Sequence, residues 1–223
     1  MLLTVKLCVR VDLDYVPWDT PDAKEFGHSE PAVLLRMLDL AKTNGYKFHF
    51  FASERSIQAL PAEADAVLND GHDLDWLCKR PDEADKRFAR ALDLFKQVNH
   101  IPIGLACKGA WPEETAFDGA AQLQFLSAQP GPIPGNLRLF PVETRSAREA
   151  FRNGSSVKSW ADHAKLAIRD SVSRGRSVTL VVRPQVLGRF DPKLIFLDEI
   201  LVLAQAVGAQ VRTLRELLKE GNA

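Results

Sequence analysis

The chain has 223 residues, 46% of them hydrophobic and 26% charged, with 29 basic side chains balanced by 29 acidic ones. That is too apolar for a disordered chain, and the absence of a basic excess argues against a nucleic-acid binder. No apolar run approaches the roughly 18 residues of a membrane span.

Three scattered cysteines (Cys8, Cys78, Cys107) are too few for a disulfide framework and fit a reducing compartment. The opening segment MLLTVKLCVRVDLD lacks the parts of a signal peptide, so the expected location is the cytoplasm.

Residues Leu3 to Asp12 alternate and read as a strand. The polar, turn-rich stretch YVPWDTPDAKEFGHSEP follows, a loop long enough to be functional. Pro31 opens a helix through VLLRMLDLAK, and Asn44-Gly45 ends it. Tyr46 to Ala52 is a second strand, Pro61 to Asn69 a short helix stopped by Asp70-Gly71, and His72 to Leu77 a third strand. Asp82 caps a helix to about Val98, with Phe88, Ala91, Leu92 and Phe95 on one face.

Ile101 to Ala106 is a fourth strand. Two shorter ones, Gln122 to Leu126 and Asn136 to Pro141, flank the turn-rich AQPGPIPGN. A helix from Ser159 or Trp160 to Gly175 precedes the apolar strand Ser177 to Val182. A helix from Asp191-Pro192 through Ala206, closed by Gly208, leads to the short strand AQVRT and the helix RTLRELLKE. Alternation of strand and helix predicts an α/β fold with a parallel sheet. At this length one barrel domain over residues 1–223 is expected, with no linker and no repeat.

In such folds ligands bind at the carboxyl ends of the strands. Asp12 and Asp14, two apart, project from one face of the first strand together with Arg10. Side-by-side carboxylates need a compensating cation, metal or shared proton. They are either a base beside a metal ligand or the anionic half of an internal ion pair with Arg10 or another base. His72 is either a ligand-binding group or a turn-fixing histidine. Lys108 and Trp111 offer a cation and an aromatic plate for a sugar ring, or else a hydrophobic plug, and Trp18 poses the same choice. Arg183 either clamps an anion or braces the rim. Cys78 and Cys107 with Asp14 would make a mixed zinc site, though no compact ligand spacing supports it.

In chain order these pieces resemble the polysaccharide deacetylase (NodB-homology) family over nearly the whole chain. CVRVDLDY matches its opening strand, which ends in paired aspartates, and LLRMLDLAKTNGYKFHFFAS its first helix and second strand. NDGHDLDW resembles the turn written "asn-gly-his-glu", and PIGLACKGAW the strand ending in "arg-x-pro-tyr". SVTLVV and LDEILVLAQAVGAQVRTLRELL match the closing strand, helix and "thr-leu-x-glu-leu" ending.

The resemblance implies a distorted (β/α)7 barrel and metal-assisted removal of an acetyl group from a sugar, with a divalent metal such as zinc as cofactor. It casts Asp12 as base and Asp14 as metal ligand. The family's two ligand histidines fall on Leu77 and Pro81, its rim arginine on Lys108, and its acid histidine on Arg183 or Pro184. The metal is therefore either lost or held by substitutes, for which His28, His72, Asp75 and Cys78 are the candidates.

The expected function is a divergent deacetylase-like hydrolase acting on the C–N bond of an N-acetylated sugar or related small molecule. One alternative is a catalytically inactive barrel binding a small polar or sugar ligand. Another is a metal-free acid/base site for an anionic substrate, built from Asp12, Lys108 and Arg183. The catalytic set is Asp12, Lys108 and Arg183, the metal residue Asp14, and the substrate-binding set Trp18, His72 and Trp111. The expected partner is a small molecule or sugar, with no nucleic acid and no membrane.

Overall fold

The computed structural model describes residues 5–15 and 30–221. Its strands are β1 (Lys6–Leu13), β2 (His49–Ala52), β3 (Asp73–Cys78), β4 (Gly104–Cys107), β5 (Phe125–Ala128), β6 (Arg138–Pro141), β7 (Val178–Val182) and β8 (Gln210–Val211). All pair in parallel in the order β6-β5-β4-β3-β2-β1-β7, and β8 joins the first two residues of β1. The sheet curls into a distorted barrel whose edges, β6 and β7, are not paired. Thr144 spans that seam, its hydroxyl donating to the Thr179 carbonyl at 2.6 Å.

The helices are α1 (Glu30–Thr43), α2 (Glu54–Ala59), α3 (Pro61–Asn69), α4 (Ala84–Gln97), α5 (Ala147–Arg152), α6 (Val157–Arg174), α7 (Pro184–Phe190), α8 (Ile195–Ala206) and α9 (Leu214–Glu220). Most expected elements are present, displaced by a few residues. Three short helices, α2, α5 and α7, were not expected. Ser53 and Ser146 cap the first two, and Pro184 opens the third. Asp82 does not cap α4, because a single 3-10 turn, Pro81–Glu83, intervenes. Asp191 lies ahead of α8 rather than inside it, and its carboxylate accepts the N–H groups of Ile195, Phe196 and Leu197.

The alternation of β1 divides the interior. Leu7, Val9, Val11 and Leu13 face the outer helices, while Cys8, Arg10 and Asp12 face the lumen. The lumen is filled by Phe51, Leu77, Ala106, Phe125 and Phe140. Gly104 makes room there, since a Cβ would meet the Phe125 ring. Leu214, Leu217 and Leu218 of α9 close the amino ends of the strands. Burial of each such side chain contributes about 1.5–3 kcal/mol. With the base plugged, the open end is the carboxyl end. No helix among the described residues is long and apolar enough to cross a membrane.

Candidate functional site

The residues just past β1, β3, β4 and β7 meet at that open end. Asp12 closes the inner face of β1, and Arg10, two residues earlier, grips it with two nitrogens. Nε lies 2.7 Å from Oδ1 and Nη2 3.1 Å from Oδ2. Arg10 is itself held by the Ser127 carbonyl at 2.8 Å and the Cys107 carbonyl at 3.2 Å. Both side chains are 2% exposed, so this fork pair is a fixed, dry unit. The arginine that braces the first aspartate thus comes from β1 itself, not from the position of Lys108.

Asp14 lies two residues further on and is fully buried. Lys79 Nζ is 2.6 Å from its Oδ1, and Arg183 Nη1 (3.1 Å) and Lys108 Nζ (3.4 Å) approach Oδ2. Burial alone would raise the Asp14 carboxyl. Arg183, Lys108 and Lys79 outweigh it and hold the group below its ordinary value. Arg183 also reaches within 3.9 Å of Asp12. Among the described residues four cations (Arg10, Lys79, Lys108, Arg183) therefore face two carboxylates.

Lys108 is the most exposed of these groups. Partial burial, with Arg183, Arg148 and Lys79 nearby, draws its ammonium down to about 8 against the opposite pull of Asp14. Gly109 follows with φ +71°, a left-handed turn that a larger side chain would strain. Beside Lys108 a cavity of about 80 Å³ runs along the β6–β7 seam. Its charged lining is Arg10, Lys108, Arg148 and Arg183 against Asp12 and Glu149. The Glu149 carboxylate accepts from the Ser146 N–H and hydroxyl, and with four cations against two carboxylates the described lining is net cationic.

The described residues do not fit a divalent metal. The family's ligand positions hold Leu77, packed inside the barrel, and Pro81, at the start of a turn. Asp12 is fully engaged by Arg10, and both Asp14 oxygens face cations that would repel a dication. Among the described residues no group of three or more His, Cys, Asp or Glu side chains could hold a metal, whereas stable zinc sites use three or four.

The proposed substitute ligands lie elsewhere or are chemically unsuited. Asp75 sits near the barrel base, paired with Arg215 at 2.7 Å and His49 at 3.0 Å. Burial pushes the Cys78 thiol up to about 12 and the Cys107 thiol to about 11, so neither is a ready thiolate. His28 falls outside the described residues.

The structure brings Asp12, Asp14, Lys108 and Arg183 together, but it separates the residues assigned to substrate. His72 precedes β3 at the amino end of the sheet. There its Nδ1 accepts the Phe48 N–H at 3.0 Å, and the ring packs against Phe48 and Phe50. Burial and nearby Lys47 lower it to about 4, so it is a neutral structural histidine. Trp111 is 2% exposed, stacked on Phe117, with its indole N–H donating to the Thr115 carbonyl. It is the hydrophobic plug, with no face left for a sugar. Trp18 lies outside the described residues. Sequence reasoning missed Lys79 and Arg148. The string Cys78-Lys79-Arg80-Pro81 did place a lysine at the end of a barrel strand, which was the available signal.

This architecture is that of the polysaccharide deacetylases, a distorted NodB-like barrel. No family model and no curated protein matches the sequence itself. Among solved structures, the chain is similar to a putative polysaccharide deacetylase from Mycobacterium smegmatis. The two are 14% identical with a TM-score of 0.74, covering 99% of this chain and 91% of the other. The PuuE allantoinase aligns with a TM-score of 0.76 at 10% identity, covering 97% and 90%. A pseudoenzyme of the CE4 family from Bacillus anthracis aligns at 12% identity and a TM-score of 0.63, covering 98% of this chain and 66% of the other.

Proposed function

We propose that this deacetylase-fold barrel works without a metal and binds a small anionic molecule, a carboxylate or a phosphate, at its mouth. The observation that carries this reading is the triple engagement of Asp14 by Lys79, Lys108 and Arg183. Their charge occupies the place where the resemblance puts a dication, and among the described residues it exceeds what Asp12 and Asp14 neutralise. An incoming anion restores the balance, and the cavity beside Lys108 suits only a small one.

The alternative of a metal-dependent de-N-acetylase needs a polarised carbonyl and a metal-activated water, and this donor set supports neither. A neutral sugar finds no stacking surface at Trp111, which is buried. The fold of the Bacillus anthracis pseudoenzyme is compatible with this reading, as is that of its mutant described as having restored enzymatic activity.

Thermal unfolding tests the proposal. Inorganic phosphate and small carboxylates should raise the melting temperature, less so at high salt, because salt screens the attraction. The effect should weaken as pH rises through about 8, where Lys108 loses its charge. Stabilisation by neutral N-acetyl sugars with no response to anions would overturn it.

A further inference from the structure

Resting on that anion-binding reading, we propose that Lys108 forms an imine with the carbonyl carbon of a small 2-oxo acid held in the cavity along the β6–β7 seam.

Three features of the site support this. Among the described residues Lys108 is the one amine lining that cavity, and its ammonium is partly open to it. Arg148 and Arg183 line the same space, which gives the carboxylate of a 2-oxo acid two guanidinium groups to approach. A lysine set among other cations is the arrangement that favours the neutral, nucleophilic amine.

The step balances without a further reactant. The free amine of Lys108 adds to the carbonyl carbon and gives a carbinolamine. The C–O bond then breaks, and the oxygen leaves as water carrying two protons. A C=N bond replaces the C=O bond, and the proton that the ammonium first released to solvent is taken back by the imine nitrogen. Nothing is oxidised or reduced. The protonated imine restores a positive charge beside Asp14 and is an electron sink for the carbons next to it. The size of the cavity, about 80 Å³, limits the substrate to a short chain.

The test uses the full-length protein with pyruvate as probe and sodium borohydride to reduce the imine, read by intact mass and peptide mapping. The expected result is one equivalent of reduced adduct on Lys108, suppressed by competing inorganic phosphate and absent from Lys108→Arg. Melting temperatures in phosphate are recorded on the same samples. Lys108→Arg is compared with the wild type by far-UV circular dichroism and cooperative unfolding, which shows that the variant is folded. A phosphate response in the wild type without an adduct overturns the imine and leaves anion binding standing. Adduct on Lys79, or spread over surface lysines and insensitive to phosphate, also overturns it. The absence of both adduct and phosphate response removes this inference together with the reading beneath it.

Discussion

Two buried aspartates sit in one barrel and are held in opposite ways. Asp75, near the base, is saturated. Its Oδ1 accepts the N–H groups of Ile103 (2.7 Å) and Gly104 (2.9 Å), and both its oxygens bond Arg215. His49 completes the set, because its Nδ1 accepts the Leu214 N–H, leaving Nε2 to donate to Asp75. Every partner belongs to the frame, and the network ties α9 across the strand ends. Asp14, at the mouth, meets three cations from three separate loops, beside a cationic cavity. A carboxylate closed off by backbone donors and one arginine fork holds a structure together. A carboxylate outnumbered by cations next to open space is, on the reading proposed above, where another anion would bind.

Substitutions at the two ends should separate these roles. Asp75→Ala leaves Arg215 and His49 without their acceptor at a buried site and should cost about 3–5 kcal/mol in denaturant unfolding. A loss below about 1 kcal/mol would mean that α9 is held by its leucines alone. The pH dependence follows from the same group. Burial alone would raise the Asp75 carboxyl. Hydrogen bonds from His49 and Arg215, with the charge of Arg215, outweigh it and bring the group from 3.8 down to about 2. Its folded value lies below the unfolded one, so its contribution is complete above about 4 and disappears as pH falls toward about 2. Acid titration of the wild type against Asp75→Ala should show the difference confined to that window.

Trp111→Ala should cost about 3 kcal/mol through the cavity it leaves, with the response to phosphate retained. Loss of ligand response without loss of stability would restore Trp111 as a recognition surface.

Asp14→Asn should be milder, about 1–2 kcal/mol, because Lys79 and Lys108 can turn to water and only Arg183 stays buried. It should also tighten phosphate binding in calorimetric titration, since the mouth loses its internal anion. Weaker phosphate binding would contradict the charge argument. The smallest effect should come from Lys79→Ala. Its side chain is one-third exposed, so stability should move by less than about 1 kcal/mol while phosphate affinity falls a few-fold.

Much of the fold was legible because strand–helix alternation and apolar periodicity are local signals. The α2, α5 and α7 helices escaped because they are short, and their capping residues stand in stretches that read as turns. At the mouth, Asp12, Asp14, Lys108 and Arg183 were visible from their places at strand ends. The Arg10–Asp12 pair was open to sequence reading as one alternative, since the two stand two apart on one strand, whereas the gathering of Lys79, Lys108 and Arg183 on Asp14 depends on barrel stagger. Trp111 and His72 misled for the converse reason. An aromatic after a strand and a histidine after a glycine look the same in sequence whether they face solvent or core, and only packing decides between them.

The most direct test of a metal-free mouth is elemental analysis of untagged protein after incubation with zinc and dialysis, run beside Asp14→Ala. The account predicts no stoichiometric metal in either. One equivalent of zinc in the wild type, lost in Asp14→Ala, would contradict it.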